Sequence, residues 1–172
     1  MQITTERLTL IACPPRLAEL SGAGLRQLES LLGARIDAVW LDDDGRGLLS
    51  YYAYQLREDP TVVGWGMWLI LLNTERKVIG SAGYKGKPDK RGCVEIGYGI
   101  SPLYRRKGYT FEAVLGLIDW GFKQPDVSRV TAECLPDNLG SKRILEKSGM
   151  TNLGMQGMYL KWSLEKHAYS TS

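Results

Sequence analysis

The run from Glu95 to Thr110, Glu-Ile-Gly-Tyr-Gly-Ile-Ser-Pro-Leu-Tyr-Arg-Arg-Lys-Gly-Tyr-Thr, constrains this chain more than any other segment. It passes from a strand through a basic turn directly into an amphipathic helix. Residues Cys93 to Ile100 alternate: Val94, Ile96, Tyr98 and Ile100 fall on one face, Glu95, Gly97 and Gly99 on the other. The second face carries a carboxylate and almost no side-chain bulk. Glycine weakens a strand interior, so two on one face mark either close approach of something to the backbone or a bulge or tightly covered sheet.

Pro102 ends the strand, and Arg105, Arg106, Lys107 and Gly108 lead into a helix with the apolar stripe Phe111, Val114, Leu115, Ile118 and Phe122. The first amides of a helix lack intrahelical partners and carry the positive end of its dipole. With a glycine that lets the backbone close in and cations alongside, such a turn can hold a pyrophosphate through main-chain N–H groups. On spacing alone, a solvated cluster of Arg105, Arg106 and Lys107 explains the sequence equally well. Two familiar nucleotide motifs do not fit. No G-x-x-x-x-G-K-[ST] run is present, and Gly97-Tyr-Gly99 starts a dinucleotide fingerprint whose third glycine position is Pro102.

A second stretch, Asn138 to Met150, follows the apolar strand Val130 to Leu135 and the turn Pro136-Asp137. It reads as a capped helix: Asp137 or Asn138 at the N-cap, Leu139, Ile144 and Leu145 facing inward, and Gly149 at the left-handed C′ position. Capping alone would account for Asn138.

Together the two stretches resemble the GNAT superfamily of acyl-CoA-dependent N-acetyltransferases. The first is similar to its pyrophosphate motif, [RQ]-x-x-G-x-[GA], here Arg105-Arg-Lys-Gly108-Tyr-Thr110. The second is similar to N-x-x-[SA]-x-x-x-x-E-K-x-G-[FM], here Asn138, Ser141, Glu146, Lys147, Gly149 and Met150. The opening Thr5-Glu-Arg-Leu-Thr-Leu10 and the run Glu95-Ile-Gly-Tyr98 resemble the branch that contains the ribosomal-protein N-terminal acetyltransferases. The likeness is thin between Pro14 and Trp65. Two departures stand out: Thr110 replaces Gly or Ala, and Leu145 stands where many family members carry a tyrosine general acid.

The resemblance implies one acetyltransferase domain over residues 1–172, an α/β fold with a mixed, mostly antiparallel sheet and helices on both faces. It also implies acetyl-CoA as cosubstrate. The main-chain amides of Arg106, Lys107, Gly108, Tyr109 and Thr110 would hold the pyrophosphate, with Arg105 adding charge. Asn138 would bond the pantetheine arm, Lys142 or Arg143 would meet the 3′-phosphate, and the N–H near Ile100 would polarise the thioester carbonyl. Amide formation needs a base for the amine and an acid for the departing thiolate. Glu95 is the candidate base through a water, since it shares the open face with Gly97 and Gly99; a structural carboxylate paired with a cation is the alternative. Ser141 is the candidate acid or thiol-side donor. The acceptor is a primary amine, on a small molecule or a protein N-terminus. A different class stays open, a regulatory module that binds acyl-CoA without turnover.

The remaining sequence sets bounds. A chain of 172 residues can bury one substantial core. The net charge of +3 gives no footprint for nucleic acid. Cys13, Cys93 and Cys134 show no metal spacing and suit a reducing cytoplasm; His167 is the single histidine and lies in a polar tail. No signal-peptide pattern is visible, and the longest apolar run, Met67 to Leu72, is too short for a bilayer. A homodimer is a family expectation. The pattern further predicts a strand over Arg7 to Ala12, helices within Pro15 to Leu32 and over Leu48 to Arg57, and a hairpin of Trp65 to Leu72 with Val78 to Tyr84. Closing strands are expected in Thr151 to Leu153 and Gly157 to Leu164. Asp42 to Asp44, and the loop with Lys85, Lys87, Lys90 and Arg91, read as solvated. Tyr51, Tyr52, Tyr54, Trp65 and Trp68 are either core or the lining of an acceptor pocket.

Overall fold

A computed structural model describes residues 1–169. Among these, nine strands form one sheet in the order β1 (Gln2–Thr4), β2 (Leu8–Ala12), β4 (Met67–Leu72), β5 (Lys77–Tyr84), β6 (Cys93–Ile100), β7 (Arg129–Cys134), β9 (Tyr159–Glu165), β8 (Thr151–Gln156), with β3 (Arg35–Ile36) against β5. Pairing is antiparallel except for β3 with β5 and β6 with β7. The short strands β1 and β3 carry no period long enough to be read from sequence.

Helices cover both faces. On one, α4 (Tyr109–Lys123) and α5 (Leu139–Lys147) pack Val114, Leu117, Ile118 and Leu145 against Leu10, Ile70, Val94 and Val130. The buried side of α4 is centred on Val114, Leu117, Ile118 and Phe122, so Phe111 and Leu115, expected in the stripe, lie at its border. On the other face, α1 (Pro15–Glu19), α2 (Leu25–Leu32) and α3 (Asp43–Glu58) enclose Leu17, Leu28, Leu49, Tyr52 and Leu56 over Leu69 and Val78. Strand alternation divides the aromatics between these layers. Trp68 faces α4, its ring 5.4 Å from Trp120, while Met67 faces α3; Trp65 also packs on Trp120, at 4.9 Å. The tryptophans therefore belong to the α4 layer and not to an acceptor pocket.

Helix α3 starts five residues ahead of the expected Leu48. Asp42 is its N-cap, accepting from the Gly45 amide at 3.0 Å, and Asp43 and Asp44 fill the first turn, where carboxylates complement the helix dipole. Gly45 is required there, because a Cβ would lie 2.1 Å from the Trp40 carbonyl oxygen. The acidic run is thus a helix start and not a loop.

Candidate active site

Strand β6 is bonded along its length to β5, from Ile96 to Ile100, but to β7 only at Cys93, Val94 and Glu95. Beyond Glu95 the two parallel strands part. Ser101 donates its amide to Ile79 O at 2.9 Å, and Lys85 donates its amide to the Glu95 carbonyl at 2.9 Å. Since alternate residues of a strand turn their amides to opposite edges, those of Tyr98 and Ile100 face the split.

A cavity of about 980 Å³ opens beside this edge, walled by Tyr98 to Ile100, the turn after β6 and the first turns of α4 and α5. The turn runs through a 3₁₀ segment at Pro102–Tyr104 into two left-handed residues, Arg106 at φ 61° and Gly108 at φ 80°. Gly108 is the N-cap of α4, and no side chain caps this end. The first amide bonded within the helix is that of Glu112, to Gly108 O at 3.0 Å, so the amides before it have no intrahelical acceptor.

The structure gathers nine of the expected residues on this cavity: Ile100, Arg105, Arg106, Gly108, Tyr109, Thr110, Asn138, Ser141 and Arg143. Lys107, Lys142 and Glu95 are not on its walls. The Lys107 ammonium sits 5.5 Å over the Tyr104 ring. The Asn138 carbonyl oxygen caps α5, accepting from Ser141 N at 3.0 Å, which leaves its NH₂ uncommitted to the cap. Leu145 is fully buried and presents nothing to the cavity.

Two features were not anticipated, and a third was foreseen only as the alternative reading of Glu95. Thr5 and Arg7 reach across from the first strands to the base of the turn. Glu112 accepts from Thr5 Oγ1 at 2.6 Å and from Arg7 N and Nε, both at 2.7 Å, while Arg7 Nη1 donates to the Lys107 carbonyl at 2.9 Å. Burial works against the Glu112 charge, but the hydrogen bonds from Thr5 and Arg7 outweigh it and hold the carboxyl below its ordinary range. The opening Thr5-Glu-Arg motif was visible in sequence, but nothing local joined it to a loop about a hundred residues away.

Tyr98 is the second. Its phenol donates to the Ser141 carbonyl at 3.5 Å, and burial pushes its pKa up to about 12, so it keeps its proton. It lines the large cavity and also a second one of about 250 Å³, between α3 and the β5–β6 sheet face, which includes Leu48, Tyr51, Gln55, Met67 and Gly97. Tyr98 and Gly99 line both cavities.

The third is the surrounding of Glu95, at the point where the strands part. Its carboxylate is ion-paired with Lys85, which also donates to Glu133 at 3.0 Å, and Glu133 in turn holds Lys161. Burial opposes the Lys85 charge; hydrogen bonds to Glu95 and Glu133 overcome it and raise its pKa. Lys87, from the same loop, pairs with Asp59 at 2.6 Å. These lysines are therefore engaged and not simply solvated.

The site thus joins a splayed parallel pair of strands to an uncapped helix N-terminus. A family model described as an acetyltransferase (GNAT) domain matches residues 38–151. An uncharacterized N-acetyltransferase of Bacillus subtilis, YjdG, is 32% identical over 160 residues, covering 93% of this chain and 95% of the relative. The chain belongs to the GNAT acetyltransferase family. Solved structures share its fold. The ribosomal-protein-S5-alanine acetyltransferase of Vibrio fischeri superposes with a TM-score of 0.66 at 17% identity, over 99% of this chain and 100% of the other. RimL, a ribosomal L7/L12 alpha-N-protein acetyltransferase in complex with coenzyme A, gives 0.69 at 14% identity, over 98% and 100%. No helix among the described residues is long and apolar enough to cross a membrane.

Proposed function

We propose that this protein moves an acetyl group from acetyl-CoA to a primary amine, by direct attack within a ternary complex. The observation that carries the reading is the glycine-capped, side-chain-free start of α4, flanked by Arg105 and Arg106 and opening onto the parted edge of β6. Such a site suits a pyrophosphate, because its donors are fixed backbone amides that need no reordering on binding.

In this reading the amides from Arg106 to Thr110 hold the pyrophosphate, and the Asn138 NH₂ bonds the pantetheine arm. Arg143, on the cavity wall, is better placed than Lys142 for the 3′-phosphate. The Ile100 amide polarises the thioester carbonyl. Glu95 takes the amine proton through a water; it lies two residues, about 6.8 Å of strand, from Gly97. As the nitrogen lone pair forms the new C–N bond and the C–S bond breaks, the departing thiolate takes a proton. Tyr98 is the proposed source, because it is protonated and lines both cavities, whereas Leu145 is buried. Ser141 remains a thiol-side donor. The proton taken up at Glu95 matches the one given at Tyr98, so charge balances over the cycle.

One observation favours a second reading, a module that binds acyl-CoA without turnover: Glu95 is occupied by Lys85 and is not on the wall of either cavity. Two measurements separate the outcomes. Calorimetric titration with acetyl-CoA and CoA is expected to show binding that weakens in the Arg106→Glu, Lys107→Glu double variant. Absence of binding to either ligand would overturn both readings. Free thiol released in the presence of mixed amines then supports the transferase, and binding without release supports the module.

A further inference from the structure

The second cavity, where the acceptor would enter, has a definite chemistry. Its wall contains four glycines, and they are there for two different reasons. A Cβ on Gly66 would lie 2.2 Å from the Tyr52 ring, and one on Gly83 would lie 2.1 Å from the Gly66 carbonyl oxygen, so packing dictates both. A Cβ on Gly97 or Gly99 would meet no described atom within 4 Å. Neither residue has a left-handed backbone, so the conformation does not require glycine either. The covered-sheet explanation of these two glycines therefore fails, and the room above them belongs to the cavity.

Apart from Lys85, the rest of the wall is uncharged: Leu48, Tyr51 and Met67 dominate its outer part, with Gln55, Ser81 and the Tyr52 hydroxyl as polar members. Leu48 and Tyr51 are both exposed at the surface. Among the described residues no carboxylate lines this cavity, and its one charged group, Lys85, is already held by Glu95 and Glu133. The acidic run Asp42 to Asp44 opens α3 and does not line this cavity. A second cationic centre on an acceptor would lose its hydration here without gaining a partner, which is a costly transfer.

We infer that the acceptor is a primary amine borne on an uncharged, apolar body that packs on Tyr51, Leu48 and Met67, and that Gly97 keeps its path to the thioester clear. The inference rests on the transferase reading and selects against polycationic amines. A cavity of about 250 Å³ has room for about eight waters at 30 Å³ each, which suits one compact apolar group.

The test measures thiol release from acetyl-CoA with 2-phenylethylamine, with spermidine and with a Phe-Ala-Ala amide peptide, alongside calorimetry with acetyl-CoA. The expected result is a kcat/KM for phenylethylamine at least about tenfold above that for spermidine. A still higher value for the peptide supports the same chemistry presented as a chain N-terminus. Gln55→Glu should narrow the gap by admitting spermidine, and Tyr51→Ala should raise the KM for phenylethylamine. Gly97→Val should suppress turnover of every amine while leaving acetyl-CoA affinity and melting temperature unchanged, since valine suits a strand. Spermidine used as well as phenylethylamine, or a fully active Gly97→Val enzyme, would overturn the inference alone. Failure of the wild type to bind acetyl-CoA would overturn the transferase reading and the inference with it.

Discussion

The two cavities that share Tyr98 and Gly99 as wall residues offer different groups. The larger holds the uncapped backbone amides at the start of α4, among side chains of the β6–α4 turn and of α5. The smaller sets side chains of α3, β4 and β5 around the bare glycines of β6. A backbone site tolerates side-chain change because its donors persist, whereas a side-chain site takes its selectivity from each residue on the wall. Function should therefore be robust to substitution at the cofactor end and sensitive at the junction and beyond.

The largest effect expected is at Glu95. Glu95→Gln should lower turnover by about 10²- to 10⁴-fold, the usual range for loss of a general base, with acetyl-CoA affinity by calorimetry nearly unchanged. Equal losses of affinity and turnover would break the contrast, because Glu95 would then be supporting acetyl-CoA binding and not the chemistry. Tyr98→Phe comes next, with a loss of kcat on the order of 10- to 100-fold, a smaller effect on the acetyl-CoA KM and a changed solvent deuterium isotope effect.

Changes in the turn should act on binding. Gly108→Val forces a branched residue into a left-handed conformation at a cost of roughly 1–2 kcal/mol, read as a lower melting temperature and an acetyl-CoA Kd raised about tenfold. The latch beneath it gives a pH signature. Glu112 has a depressed pKa in the folded protein, so its contribution to stability is present above its ordinary value of 4.5 and is lost as pH falls through the lower folded value. The melting-temperature gap between wild type and Glu112→Gln should be full at neutral pH and close in acid. Arg7→Met should raise the acetyl-CoA Kd several-fold at unchanged kcat, and Arg7→Lys should recover part of it. The smallest effect is expected for Thr110→Ala, with Kd within about twofold of wild type, because Thr110 lines the cavity whose proposed donors to the pyrophosphate are backbone amides.

The uneven legibility of the two cavities follows from the same difference. Strand β6 was read from Cys93 to Ile100, and the α5 cap at Asp137 or Asn138, which the structure gives to Asn138, and the Gly149 C′ position were read from capping chemistry, with Gly149 at φ 80°. Each rests on neighbours a few residues apart. The start of α3 at Asp43 was missed because Gly45 and Gly47 oppose a helix on local propensity; only the approach of the Trp40 carbonyl explains Gly45. Tyr98 was placed on the face opposite Gly97 and Gly99 by alternation, but alternation does not say that β7 leaves β6 after Glu95 or that Tyr98 lines two cavities.

By itself the sequence determined the strand, turn and helix beside the larger cavity and the bare face of Gly97 and Gly99, all properties of local period and turn chemistry, while the family came from the likeness of its two motifs. Tertiary structure alone decided that Arg7 and Glu112 brace the turn, that Glu95 shares its carboxylate with Lys85, that Trp65 and Trp68 pack toward α4, and that the room above the two glycines adjoins Tyr51 and Met67. The physical reason is that these contacts join residues remote in sequence, and they come into register only when the sheet has paired and both helical layers have closed on it.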